Sequence, residues 1–229
     1  ARGAYQVGVL KAISNIQGSI KKSPFDVISG TSAGAINASM ICSEIENFHE
    51  SVLKLENIWG NFSTNQIYRT EKLFMLRQSF HWLLTLISGG VLTKNPRSLL
   101  DNQPLRDLLR NAVDFKSINR NIYSGQLCAL IVTAASYEQK KSVSFFTTST
   151  SVENWHKVGR SSRKTEINVD HLMASVALPL IFPAVRIDGE YYGDGAMRQE
   201  TPLSPAIRLG ATNLLIISTE SPKDNDINP

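Results

Sequence analysis

Apolar and polar positions alternate along the chain in blocks that predict helices and strands in turn. Ala4 to Ile16 carries apolar residues at helical spacing, and Phe25 to Ser29 is a short apolar strand candidate. From Gly34 a long helix is predicted to about Leu55, with Ile41, Ile45, Phe48, Val52 and Leu55 on one face. Leu127 to Thr133 and Val143 to Phe146 read as strands joined by a polar turn around Gln139, Lys140 and Lys141. Asp170 is placed to cap a short helix, HLMASVA, that Pro179 ends, and Leu214 to Ser218 reads as a late buried strand. Strands separated by helices argue for an α/β fold, a central sheet with helices on both faces.

One block departs from this rhythm. On a helical wheel of Glu71 to Ser88, residues Leu73, Leu76, Phe80, Leu83, Leu84 and Ile87 form one apolar face. Met75, Trp82 and Leu86 form a second stripe nearly opposite, and Gly89-Gly90 stops the run. A helix apolar on two sides is either buried between layers or offered to a partner or a membrane. Residues 71–92 therefore carry two expectations: a core helix under a loop, or a cap at a substrate entrance that transiently faces a membrane surface. The uninterrupted apolar run is too short to span a bilayer, which needs about 20 residues.

Composition narrows the class. The chain has 229 residues, suiting one domain, with 42% hydrophobic and 19% charged residues. A net charge of +4 is too mild to imply nucleic acid, and no nucleic-acid partner is expected. Arg160, Arg163 and Lys164 form the one tight basic cluster, expected as a solvated loop, with anion contact as the other reading. Cys42 and Cys128 are the only cysteines, and the four histidines lie far apart, so no metal or cofactor is expected. A polar tail from 220 to 229 follows a domain expected over 1–219, with an inserted cap region at about 60–100.

Chemistry concentrates in VISGTSAGAINASMI, residues 27 to 41. Gly30-Thr31-Ser32-Ala33-Gly34 fits G-x-S-x-G, the pattern of a nucleophile held on a sharp strand-to-helix turn. Gly30 and Gly34 supply the small neighbours such a turn needs, and the following helix points its N-terminus toward Ser32. A phosphate loop would need a lysine, and none lies between Lys22 and Lys54. Far downstream, Asp194-Gly195-Ala196 offers a carboxylate on a tight turn. By itself each motif leaves a structural turn as the alternative.

Taken together, these residues resemble the patatin-like phospholipase family. The elbow, the late Asp194-Gly195-Ala196 motif and Arg2-Gly3-Ala4-Tyr5, which matches the end of an early glycine-rich loop, occur in that family's order. Ala174-Ser175-Val176-Ala177-Leu178-Pro179 and Phe182-Pro183 match the run before the aspartate. The resemblance spans Ala1 to about Thr219. It implies a three-layer sandwich around a mostly parallel sheet, with an acyl hydrolase activity on lipid esters of the phospholipase A or lysophospholipase type. It implies Ser32 as nucleophile and Asp194 as general base, with no catalytic histidine, and a cytoplasmic or peripheral-membrane location. Arg2 and Gly3 would be the remnant of the oxyanion loop, whose glycine run would lie upstream of Ala1 in an N-terminus that begins short of the full domain. Two alternatives stay open: a lipid-binding scaffold of the same fold with weak or no turnover, and a hidden triad using His171.

Overall fold

A computed structural model describes residues 2–61, 63–68, 100–198 and 203–218. The chain is α/β, and helices flank both faces of a central sheet that contains seven strands among the described residues. Its axis is β2 (Ala129–Ser136), buried along its whole length. Leu130, Val132 and Ala134 join the larger core on one face, while Ala129 and Ile131 join the smaller core on the other. A strand covered on both faces favours apolar residues on both, which is why Ala129 to Val132 do not alternate with polar ones.

One edge of β2 pairs antiparallel with β3 (Ser142–Thr148). The other edge is shared. Its first half pairs in parallel with β1 (Val27–Thr31), and its end pairs antiparallel with β7 (Glu190–Asp194). Outside β3 lie β5 (Arg160–Lys164), parallel to it, and β4 (His156–Lys157). Outside β7 lies β6 (Val185–Ile187), antiparallel to it.

The sheet is therefore mostly antiparallel, which corrects the expectation of a mostly parallel one. The reason is local. Parallel neighbours need a long crossover, whereas tight turns make hairpins. Asp188 (φ 48°) and Gly189 (φ 90°) form a two-residue turn between β6 and β7, and Asp-Gly is the sequence best suited to two successive positive φ values. Lys140 (φ 53°) turns the chain between β2 and β3. The basic cluster GRSSRK is not a loop but β5 itself. Within it Arg163 pairs with Glu190 at 2.7 Å.

The larger core is covered by α1 (Arg2–Gln17), α2 (Ala33–Ser43), α3 (Phe48–Gly60), α5 (Gln103–Ala112), α6 (Phe115–Tyr123) and α7 (Val169–Ser175); a short α4 (Thr64–Ile67) lies between α3 and α5. On the opposite face α8 (Leu203–Arg208) contributes Ala206 to the smaller core. The long helix predicted from Gly34 to Leu55 is two helices. Its apolar face is as expected, since Ile41, Ile45, Phe48, Val52 and Leu55 are all buried. Continuity fails because the segment before β1 inserts at the break: Ser23 N–H donates to the Ile45 carbonyl and Phe48 N–H to the Lys21 carbonyl, both at 2.8 Å. Two backbone groups are thereby satisfied that continuous helix would have bonded internally.

Two further expectations change. The cap of α7 is Asn168, not Asp170: its side chain accepts from Asp170 N–H, and its own N–H donates to His171 Nδ1. The run Leu214 to Ser218 is not a strand. Leu214, Leu215 and Ile216 are exposed, and a groove of about 520 Å³ separates this run from the edge of β1 that faces away from β2. Among the described residues the sheet does not include this run, and an apolar run outside a ladder is not a strand. Residues 71–92, the tail from 220 to 229 and part of the expected cap insert lie outside the described residues.

Candidate active site

The ends of β1 and β7 meet on one edge of β2. Thr31 is registered opposite Thr133 and Asp194 opposite Ala134, so the two strands arrive at neighbouring positions from opposite directions. Ser32 follows Thr31 directly. Its Oγ donates to Asp194 Oδ2 at 2.8 Å across 162 residues of sequence.

Each partner is held rigidly. Ser32 has φ 54° and ψ −126°, a region costly to any residue with a Cβ and a mark of backbone strain at functional turns. The turn closes tightly behind it: a Cβ on Gly30 would lie 2.2 Å from the Gly34 carbonyl oxygen. Gly34 differs from expectation. A Cβ there would meet only the Gln6 side chain, at an ordinary 3.5 Å, so the second glycine of the motif is not sterically required.

Asp194 is 1% exposed and uses both carboxylate oxygens. Oδ2 accepts from Ser32, and Oδ1 accepts from Ala196 N–H at 2.9 Å in the short 3-10 turn Gly195–Met197. Gly195 permits this turn because a Cβ there would lie 2.3 Å from the Thr133 carbonyl oxygen. Burial pushes the Asp194 carboxyl above its ordinary range, and the hydrogen bonds from Ala196 and Ser32 pull the other way without cancelling it. A raised carboxyl is a better proton acceptor from a hydroxyl than an ordinary one.

Arg2 and Gly3 lie in the first turn of α1, docked on α2 where Asn37 Nδ2 donates to the Gly3 carbonyl at 3.3 Å and to Gln6 Oε1 at 2.9 Å. Trp59 Nε1 donates to Asn37 Oδ1, and the close approach of the Trp59 ring leaves no room for a Cβ at residue 3. His171, required by the triad alternative, is tied elsewhere. It is 3% exposed, bonded to Asn168 and packed edge-on against Phe145, with no hydrogen bond to Ser32 or Asp194. Burial lowers its pKa to about 4, against the opposing pull of Asp170 and Asp188.

Three groups at the site carry no role in the sequence reading. Ser175 Oγ accepts from Ser32 N–H, the Ala177 carbonyl accepts from Asp194 N–H, and Tyr137 crosses Gly193 beside the carboxylate. Burial and then the charge of Asp194 push the Tyr137 hydroxyl pKa up. The run from Ala174 to Pro179 was a legible signal for the first two; nothing in the sequence marks Tyr137. Among the described residues, no group of three or more His, Cys, Asp or Glu could hold a metal ion. No described helix is long and apolar enough to cross a membrane.

An α/β core that brings a serine on a strained elbow against a distant buried aspartate is an arrangement suited to a lipid acyl hydrolase. The patatin-like phospholipase family model matches residues 1–207, and the chain belongs to that family, whose members are lipid acyl hydrolases. Among solved structures, the crystal structure of VipD from Legionella pneumophila is similar, with a TM-score of 0.48 and 15% identity. The match covers 88% of this chain and 46% of the VipD chain, so the chain spans about half the length of that protein. Comparison with curated proteins finds no match.

Proposed function

We propose that this protein is a serine acyl hydrolase of phospholipase A or lysophospholipase type, working through a Ser32–Asp194 dyad. The observation that supports the reading is the 2.8 Å hydrogen bond from Ser32 Oγ to Asp194 Oδ2 on a strained elbow. Ser32 Oγ attacks the ester carbonyl carbon as its proton passes to Asp194 Oδ2. The tetrahedral oxyanion collapses, the alcohol or lysolipid leaves with the proton from Asp194, and the acyl group stays on Ser32. Water then attacks the acyl-enzyme, gives a proton to Asp194, and the fatty acid leaves as Ser32 takes that proton back.

Two features of the chain favour this chemistry. Burial raises the basicity of Asp194, and both its oxygens are fixed by hydrogen bonds, so no reorientation precedes proton transfer. The first turn of α2 leaves N–H groups without intrahelical acceptors beside the nucleophile, suited to the oxyanion, with Arg2 and Gly3 contributing from the start of α1. The acyl substrate meets the protein at a lipid surface, with residues 71–92 as the contacting segment.

The test is hydrolysis of a p-nitrophenyl acyl ester and a phospholipid by the full-length protein, with fluorophosphonate labelling read by mass spectrometry. Stoichiometric label on Ser32, and loss of both readouts in Ser32→Ala, are expected. Absence of label on a folded protein would assign the chain to the non-catalytic lipid-binding reading. Full activity of Asp194→Asn would overturn the dyad.

A further inference from the structure

Ser175 closes α7 and is fully buried, yet its hydroxyl belongs to the site rather than to the helix. Its Oγ accepts from Ser32 N–H at 2.9 Å and donates to the Thr133 carbonyl at 2.6 Å. An N–H can only donate and a carbonyl can only accept, so the direction of both bonds is set and the hydroxyl cannot rotate away without losing one. Two residues on, the Ala177 carbonyl accepts from Asp194 N–H at 2.9 Å. The three-residue segment Ser175–Ala177 therefore holds the backbone of both Ser32 and Asp194. Thr133 ties the same point to the sheet, being the register partner of Thr31.

The strain at Ser32 makes this brace matter. A positive φ on a residue with a Cβ is strained and persists only where the surroundings over-determine it. The Ser32 peptide N–H is the group that the turn aims at Ser175. Without an acceptor there, a part-buried donor loses its partner and the peptide gains a reason to rotate, carrying Oγ off the Asp194 carboxylate. The same bond commits the Ser32 N–H to Ser175, leaving the oxyanion to other donors.

We infer that Ser175 is a positioning residue for the nucleophile: its side-chain hydroxyl holds the Ser32 elbow in the geometry that keeps Oγ on Asp194. This rests on the dyad reading above. It extends that reading by assigning a role to a side chain that touches neither substrate nor the transferred proton.

The experiment is steady-state kinetics and fluorophosphonate labelling of Ser175→Ala, Ser175→Cys and Ser175→Thr in the full-length protein, with folding checked by circular dichroism. Ser175→Ala is expected to lose about 10- to 100-fold in kcat and in labelling rate with KM unchanged, as a displaced reacting group does. Its acid limb against pH is expected to stay where the wild-type limb lies, since Asp194 keeps its burial. Either hydroxyl- or thiol-bearing variant is expected to recover part of the loss. Wild-type kcat and labelling in a folded Ser175→Ala overturn the inference. If alanine does not fold, Ser175→Gly, which lacks the hydroxyl as well, is the deciding variant, and wild-type rates there overturn it equally. The dyad reading fails separately, by full activity in Ser32→Ala or Asp194→Asn, whatever Ser175 variants do.

Discussion

Thr31 and Asp194 sit opposite consecutive residues of β2, Thr133 and Ala134, although 162 residues of chain separate Ser32 from Asp194. One strand ends in parallel register and the other in antiparallel register on the same edge. The ladder of β2 thus acts as a ruler that brings a serine and a carboxylate together with no flexible element between them.

The two elbow glycines are expected to respond differently to alanine. Gly30→Ala drives a Cβ to 2.2 Å from a backbone oxygen, so the elbow must open; loss of at least 100-fold in ester hydrolysis and a cost of about 3 kcal/mol or more in stability are expected. Gly34→Ala meets only a side chain at 3.5 Å, within a helix where alanine is favoured by about 0.5–1 kcal/mol. Its activity should stay within a few-fold of wild type and its melting temperature should not fall. Equal damage from both would show that the motif is read incorrectly.

Activity should fall on the acid side at a pH above the ordinary carboxylate range. Burial raises the Asp194 pKa, and only the ionised form accepts the Ser32 proton. The rate is therefore full above the raised pKa and lost as pH drops through it. A pH profile of kcat/KM on a soluble ester measures this, and an acid limb at or below the free-carboxylate value would contradict it. Asp194→Asn should lower kcat by about 100-fold or more, the scale of a lost general base.

The same burial predicts a stability change of opposite sign. At low pH Asp194 is protonated in both states. As pH rises the unfolded chain ionises first, so the folded state loses stability until Asp194 ionises too, and above that the penalty is constant. Asp194→Asn removes the penalty, so a higher urea midpoint than wild type is expected at pH 7, with the gain shrinking toward pH 4. A lower midpoint at pH 7 would show that the carboxylate is net stabilising.

His171 gives the fold an acid-labile point away from the dyad. Its pKa falls from 6.5 to about 4 on folding. The neutral imidazole thus contributes stability above pH 6.5 that is lost as pH falls toward 4, about 2 kcal/mol between pH 7 and pH 5. His171→Gln keeps a side chain able to complete the capping box and does not titrate. It should cost about 1 kcal/mol at pH 7 through the lost Phe145 contact and flatten the stability profile between pH 7 and 5. An unchanged slope in unfolding experiments would place the titration elsewhere.

Some of this was legible in the chain alone, because local physics decides it. The apolar face from Ile41 to Leu55, a strand within Leu127 to Thr133 and the need for a sharp turn at Gly30-Thr31-Ser32 follow from periodicity and side-chain size. The motif order placed Ser32 and Asp194 as candidates. What the sequence could not show depends on backbone groups finding distant partners. Ser23 and Lys21 break a helix that local preference would continue, and Leu214 to Ser218 joins no strand of the sheet among the described residues. The β2–β3 hairpin was marked by its polar turn and the β6–β7 hairpin by Asp188-Gly189, but a turn signal does not say which other strands a hairpin will lie beside. The roles of Ser175 and Ala177 were hidden for the same reason. A hydroxyl and a carbonyl on a helix end look structural until the fold sets them against the N–H groups of Ser32 and Asp194, and only tertiary packing brings those four groups within hydrogen-bond distance.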